Sequence, residues 1–459
     1  MKRFEDYVAQ SPLKQAALGV LSPVRREMNR AHAGESRLMS ASADELQAVR
    51  KARFRRLLAV ARGAPYWRKI IDGFGKSPEA FTLDDLRDFP FLTKDILRER
   101  EHELRVPGAR GVYVNFSGGS TGAPIRFYQD RTYKVHMSVS TRICNEMAGA
   151  FPGARMAKLW GAPQDRRQIE GPFGRLKLWL LNHRYYDTFD MGEERMLAYH
   201  AAMERFQPDL IQAYASSIHL FARFLAARGI RPGYPRVSII STAERLFPHQ
   251  RAEIESVFPV RVFNRYGSRE VSAMAAECGE HDGMHVTAAS HLVETVCPAS
   301  LAPVSGTPGE IVITALHNHA MPFLRYRIGD MGTLVDSPCR CGRTAPRLAE
   351  VHGRTSDNFL MPGGRVVHGE YFTHMFYGRP GVKQFQFVQE SMGEFTLRIV
   401  PAAGYRADLE RQFESEVREM IGPRARFRIE LCDEIPVTAS GKFRFTVSKV
   451  DLSGVLTGR

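Results

Sequence analysis

The chain has 459 residues, 44% of them hydrophobic and 25% charged, with a formal net charge of +14. This is the composition of a globular protein long enough for two domains, and no apolar run approaches the roughly 18 residues of a membrane span. The basic residues are spread, with local clusters at 50–56 and 424–428, and no aromatic rings interleave them as a nucleic-acid platform requires. Small anionic substrates stay compatible with the charge. The opening stretch MKRFEDYVAQ lacks the apolar core of a signal peptide, so a cytoplasmic location is expected. Six cysteines (144, 278, 297, 339, 341 and 432) are too few for a secreted disulfide framework. Cys339 and Cys341 lie two apart, a spacing that suits a shared metal better than a disulfide.

Residues 1–62 read as helical. SADELQAVRKARFRRLLAVARG begins with a Ser/Asp cap, ends at Gly63, and places Leu46, Val49, Leu57 and Leu58 on one face. Two strand-like segments, 111–114 and 124–128, flank the loop Ser117–Gly118–Gly119–Ser120–Thr121–Gly122. The loop reads either as a tight hairpin or as an anion cradle, in which glycines turn backbone N–H groups inward and hydroxyls add donors. It is not a Walker A loop, because no Lys-Ser/Thr follows Gly122. Residues 210–226 read as strand, loop and helix. Strands are expected at 236–242, 260–264 and 310–316, with a helix over 248–258. This alternation predicts an α/β domain.

The last hundred residues form a separate pattern. Segments 383–390 and 393–401 read as a hairpin, 405–422 as a helix with Leu409, Phe413, Val417 and Met420 on one stripe, and 426–433 as a closing strand. A boundary is expected in the polar stretch near 353–358, giving domains 1–354 and 355–459.

Four further segments follow the glycine loop in order: NRYGSREVSAMAAEC (264–278), FLRYRIGD (323–330), VHGRTSDNFL (351–360) and VTASGKFRF (437–445). The ordered set resembles the adenylate-forming superfamily. Within it the chain is similar to the phenylacetate-CoA ligase and coenzyme-F390-synthetase-like branch, which includes CapK. APYWRKI and FPFLTKDILRE resemble that branch's N-terminal signatures, and the likeness runs from about 60 to 445. It implies a large N-terminal adenylation domain with a small mobile C-terminal α+β lid. The implied reaction has a carboxylate attack the α-phosphate of ATP, then passes the acyl group onward, most often to coenzyme A.

The resemblance also implies roles. The loop 117–122 would hold the outer phosphates, Tyr266 and Gly267 would wall the adenine, and Glu270 would hold Mg²⁺. Asp330 would accept bonds from both ribose hydroxyls, and Arg354 would contact the nucleotide near a hinge at Ser356–Asp357. Arg325 and Arg327 would support this loop or the phosphate. Lys442, carried by the lid, would bridge the attacking carboxylate and the α-phosphate. Two positions depart from the family pattern: Ala123 stands where a lysine often follows the last glycine, and Ser356 where an acidic residue is common. Cys278, His285, Cys339 and Cys341 resemble a closed structural zinc site, with His281 as an alternative ligand. By resemblance, 210–226 and the STAERL segment (241–246) face the acyl pocket, and Phe127, Trp160 and Tyr214 are candidate floor residues. Two alternatives stay open: transfer to an amine, a sugar or a carrier protein, as in capsule or natural-product pathways, and a nucleotide-binding scaffold without turnover. An oligomer is possible.

Overall fold

The computed structural model describes residues 23–117, 125–160, 171–188, 191–354, 358–362, 366–368, 372, 375–376, 379–436 and 443–450. The helix expected after Ser42 spans Ala43–Ala61, and the Ser42 hydroxyl accepts from the Glu45 amide at 3.2 Å. Leu46, Leu57 and Leu58 are buried, and Val49 packs against the same cluster. Trp67, on the next helix, is fully buried and its indole donates to the Pro322 carbonyl at 3.0 Å. The N-terminal helices thus cover one face of the sheet that carries the motifs.

A short hairpin pairs β1 (Tyr113–Phe116) with β2 (Arg126–Gln129). The large sheet begins with β3 (Met156–Leu159), β4 (His183–Tyr186), β5 (Leu210–Ala213), β6 (Ser238–Thr242) and β7 (Val262–Ser268). These pair in parallel in the order β4-β3-β5-β6-β7. β5 and β6 are buried throughout, as strands covered on both faces must be. Helices Ala215–Ala227 and Pro248–Val257 supply part of that cover through Ile218, Phe221, Leu225 and Ile254.

At β7 the pairing reverses. Antiparallel strands follow: β8 (Ser272–Glu277), β9 (Met284–Val286), β10 (His291–Val296), β11 (Pro303–Val304), β12 (Gly309–Ala315), β13 (Phe323–Val335) and β14 (Arg347–Arg354). They run outward as β7-β8-β9-β14-β13-β12-β10-β11 and complete a twelve-stranded sheet. The YGSRE motif sits at this reversal, where a register shift falls between Tyr266 and Gly267. Ligands of open α/β sheets gather where strand order changes direction.

The C-terminal segment has its own core of Phe359, Phe372, Phe376, Phe387, Leu397, Phe413 and Val417, among others. β15 (Asn358–Leu360) and β16 (Val366–His368) form a small hairpin. The expected hairpin is β17 (Val382–Ser391) with β18 (Glu394–Pro401), and the helix spans Ala407–Ile421. β19 (Arg426–Leu431) lies parallel to β18, and a further strand, β20 (Thr446–Ser448), lies parallel to β17. β20 has no signature in residue order, because three residues are too short for a periodic signal. We place the domain boundary at 354/355 because the first core ends by Val351 and the second starts at Phe359.

Two histidines of the large sheet resist protonation. Burial pushes His291 down to about 4 although Nε2 lies 2.8 Å from the Val271 carbonyl oxygen, and burial likewise takes His183 to about 3. An unfolded histidine, titrating near 6.5, takes a proton that these folded sites refuse. The unfolded state therefore binds more protons, and stability falls as pH drops from about 6.5 towards 4. Melting temperature followed from pH 7 to pH 4 should decline through that window; a flat profile would contradict the assignment.

Candidate functional site

The β1–β2 hairpin closes below the glycine loop. The Ser117 amide donates to the Ile125 carbonyl at 2.9 Å, and the Ser117 hydroxyl accepts from the Ile125 amide at 2.8 Å. Ser117 is buried at the base of the loop and holds its two strands together. Gly118, Gly119, Ser120, Thr121 and Gly122, as well as Ala123, lie outside the described residues.

The hairpin also grips the turn after β7. The Tyr133 hydroxyl donates to the Glu270 carbonyl at 2.8 Å, and Gln129 Nε2 donates to the Arg269 carbonyl at 3.1 Å. Asn115 Nδ2 donates to Gln129 Oε1 at 3.2 Å, completing a polar chain from β1 to the motif. Gln129 and Tyr133 escaped the sequence reading because each looks like an ordinary core polar residue outside any motif. Gly267 is required here: a Cβ at that position would lie 2.8 Å from Ala273 Cα across the tight β7–β8 pair.

Three of the expected nucleotide residues meet on this framework. The Tyr266 hydroxyl donates to Asp330 Oδ2 at 2.6 Å. Asp330 pairs with Arg354 across β13 and β14, which puts the two backbones side by side. Glu270 is buried, and its Oε1 accepts from the Tyr326 hydroxyl at 3.3 Å. Tyr326, fully buried two residues before Ile328, is a carboxylate-positioning residue the sequence did not single out. Arg325 and Arg327 instead pair with Glu294 at 3.1 Å and Glu310 at 2.6 Å. They brace β13 against its neighbours. Tyr266→Phe should raise the half-saturating ATP concentration about fivefold, the order expected for one net hydrogen bond near 1 kcal/mol; nucleotide titration of the variant checks this.

The STAERL segment makes a second junction. Ala243 takes a left-handed backbone (φ 69°), which aims the following side chain out of the strand direction. Glu244 Oε2 accepts from the Ser216 amide at 2.8 Å, at the start of helix Ala215–Ala227. Glu244 Oε1 accepts from the Phe443 amide at 3.3 Å, and Phe445 meets Phe247 edge-on with centroids 6.4 Å apart. This carboxylate therefore joins the expected acyl side to the C-terminal segment. Phe443 follows Lys442 in sequence; Lys442, Ser356 and Asp357 lie outside the described residues. Trp160 stacks on Tyr214 with centroids 4.4 Å apart beside this junction, whereas Phe127 is core, edge-on to Phe323.

A distant cluster gathers Cys278, His285, Cys339 and Cys341, whose donor atoms all lie within 4.8 Å of one another. The Sγ atoms of Cys278 and Cys339 are 3.8 Å apart, and Cys341 Sγ is 3.3 Å from His285 Nε2. With Zn–S bonds near 2.3 Å, ligand edges of a tetrahedron come to about 3.8 Å. His281 is not in this set: its Nδ1 contacts Glu277 Oε2 and Arg251, each at 3.0 Å. Burial, with the neighbouring thiols, pushes Cys278 up to about 12.

Residues 359–449 match the CapK C-terminal domain family. The chain is 23% identical to Protein CapK of Staphylococcus aureus over 85% of this chain and 86% of that protein. It is 29% identical to the phenylacetate-coenzyme A ligase of Thermus thermophilus over 70% of this chain and 73% of that one. The fold matches 2-hydroxyisobutyryl-CoA ligase, solved in the postadenylation state with 2-HIB-AMP, with a TM-score of 0.71 and 20% identity, covering 90% and 91% of the two chains. The C-terminal family match and the similarity along most of the chain point the same way: the chain is similar to CapK and to phenylacetate-CoA ligases, and it shares the fold of an acyl-CoA ligase.

Proposed function

We propose that this protein activates a carboxylic acid with ATP, through an acyl-adenylate, and transfers the acyl group to coenzyme A. The observation that carries this reading is the bond from Tyr266 to Asp330, with the buried Glu270 four residues after Tyr266 held by Tyr326, in a chain similar along most of its length to phenylacetate-CoA ligases. Asp330, already engaged by Tyr266, offers carboxylate oxygens suited to a ribose diol. Tyr266 and Gly267 form a wall beside it on which a purine can rest.

The chemical obstacle is bringing a carboxylate to a polyphosphate. Two unit charges about 4 Å apart repel by roughly 4 kcal/mol at an effective dielectric near 20. Lys442 offsets this repulsion at the reacting centre, and Arg354 at the nucleotide. Glu270 suits Mg²⁺, which takes one or two protein carboxylates and completes its shell with phosphate and water. Its buried carboxylate, oriented by Tyr326, meets that need. When bound, the ion neutralises phosphate charge. The Cys278, His285, Cys339 and Cys341 set fits zinc by donor type and spacing. With all four positions filled by protein, the zinc has a structural role.

The similarity to CapK supports a second acceptor class, a sugar, amine or carrier protein, for the same adenylate. Pyrophosphate exchange across aryl, fatty and small acids, with and without coenzyme A, tests both. Acid-dependent exchange with thioester formation supports the CoA reading, and exchange without thioester supports the second. No exchange with any acid would overturn both and favour a scaffold. Among the described residues no helix is long and apolar enough to cross a membrane.

A further inference from the structure

Helix Pro172–Leu181 runs into β4, the edge strand of the large sheet. Its buried residues are Gly174 and Leu180. On the outer side stand Phe173, Leu176 and Trp179, exposed to 70%, 45% and 61%. Phe173 and Trp179 are the most exposed large apolar side chains among the described residues. Their spacing by three puts all three side chains on one stripe. A single exposed apolar residue needs no explanation, but two aromatic rings and a leucine side by side on one short helix do.

The charge around the stripe has one sign. At about 3.6 residues per turn, Arg175 falls beside Trp179 and Lys177 beside Phe173, so a cation borders the stripe on each side. Both are exposed, and the helix contains no acidic residue. The field extends beyond the helix. Burial keeps His183, at the start of β4, neutral, and the positive charges of Lys158, Arg25 and Lys177 add to that effect. Three cations thus act on one point at the C-terminal end of the helix.

Apolar rings rimmed by cations match a surface that is apolar below and anionic above. An anionic bilayer has that layering: phosphates in the headgroup region and acyl chains beneath them. Tryptophan suits the boundary, because its ring is apolar and its N–H is polar. A second copy of the chain fits less well. In a two-fold pairing the patch meets itself, which sets Arg175 and Lys177 against the same cations of the other copy.

We propose that helix Pro172–Leu181 docks the protein on an anionic lipid surface, with Phe173, Leu176 and Trp179 inserted at the headgroup boundary and Arg175 and Lys177 against the lipid phosphates. Ten residues cannot span the bilayer, so the helix lies in the plane of the interface. The proposal does not depend on the adenylation reading.

The test uses the full-length protein with vesicles of phosphatidylcholine alone and of phosphatidylcholine mixed with phosphatidylglycerol. The parent should sediment with the mixed vesicles and not with phosphatidylcholine alone, and raised salt should release it. The double variant R175E/K177E should bind the mixed vesicles at least about tenfold more weakly. The triple variant F173S/L176S/W179S should lose binding to a similar degree with an unchanged melting temperature, because its three side chains are exposed. Fluorescence reports the insertion directly. Of the three tryptophans, Trp67 is buried and Trp160 stacks on Tyr214, which leaves Trp179 to meet the lipid. Mixed vesicles should shift the parent's emission to the blue. W179F should keep most of the binding and lose the shift. A parent that does not sediment with the mixed vesicles would overturn the proposal. So would binding that the triple variant retains in full, which would mark it as general adhesion of a cationic chain. Concentration-dependent self-association that the triple variant abolishes, without vesicle binding by the parent, would give this face to a second copy and overturn the lipid reading. No readout involves adenylate formation, so a failure of the proposed activity leaves this result unaffected.

Discussion

Lys442→Ala should slow acyl-adenylate formation by roughly 100- to 1,000-fold while ATP binding stays close to that of the parent. The asymmetry follows from where charge accumulates. On the proposed reading, Asp330, Tyr266 and the glycine loop would hold the nucleotide in the ground state without the lysine. In the transition state two anionic centres share one oxygen–phosphorus junction, and only an ammonium placed there reduces the repulsion as it grows. Single-turnover pyrophosphate release, set beside nucleotide titration, separates the two quantities. Equal losses in both would reassign Lys442 to nucleotide binding. Adenylate formation at the parent rate would remove it from catalysis.

Cys339→Ser should release the metal and lower the melting temperature by on the order of 10 °C, with a similar shift on chelator treatment of the parent. A zinc ion here would join the stretch 278–285 to the stretch 339–341, reinforcing the short β9–β14 pairing and the surface ion pair of Arg340 with Glu280. Structural zinc is worth about 10 kcal/mol or more in small peptides, and a large domain realises part of that because its core forms anyway. A loss of a few kcal/mol corresponds to roughly 10 °C, at about 2–4 °C per kcal/mol for domains of 150–250 residues. Elemental analysis gives the stoichiometry, and calorimetry gives the shift. A metal-free parent with an unchanged melting temperature after Cys339→Ser would leave four thiol and imidazole groups that merely pack together.

Much of this architecture can be read from residue order. The Ser42 cap, the buried stripe of Leu46, Leu57 and Leu58, and the apolar runs at 210–213 and 238–242 announce helix and parallel strand because each satisfies a local rule. The C-terminal hairpin and helix are legible for the same reason. Contacts made by single residues far apart in sequence are not. Nothing local marks Tyr326 as the partner of Glu270, or Tyr133 as the donor that fixes the motif turn. Arg325 and Arg327 show the converse: a basic pair inside a motif suggests phosphate, yet Glu310 on the adjacent strand β12 and Glu294 on β10 beyond it meet them. The gathering of Cys278, His285, Cys339 and Cys341 was legible by resemblance, while setting His281 apart from that cluster needed the geometry that commits it to Glu277 and Arg251.

The bond from Phe443 to Glu244 is made by a main-chain amide, and this shapes how the joint can vary. Nineteen of the twenty amino acids carry that same donor, so position 443 is free to drift in side chain without releasing the tether; proline alone would cut it. The acceptor has no such latitude, because a second amide, that of Ser216, draws on the same carboxylate. Substitutions at 244 therefore disturb two segments at once, whereas the rings of Phe247 and Phe445 beside it can vary in size and tune how firmly the tail rests on the body without touching either amide.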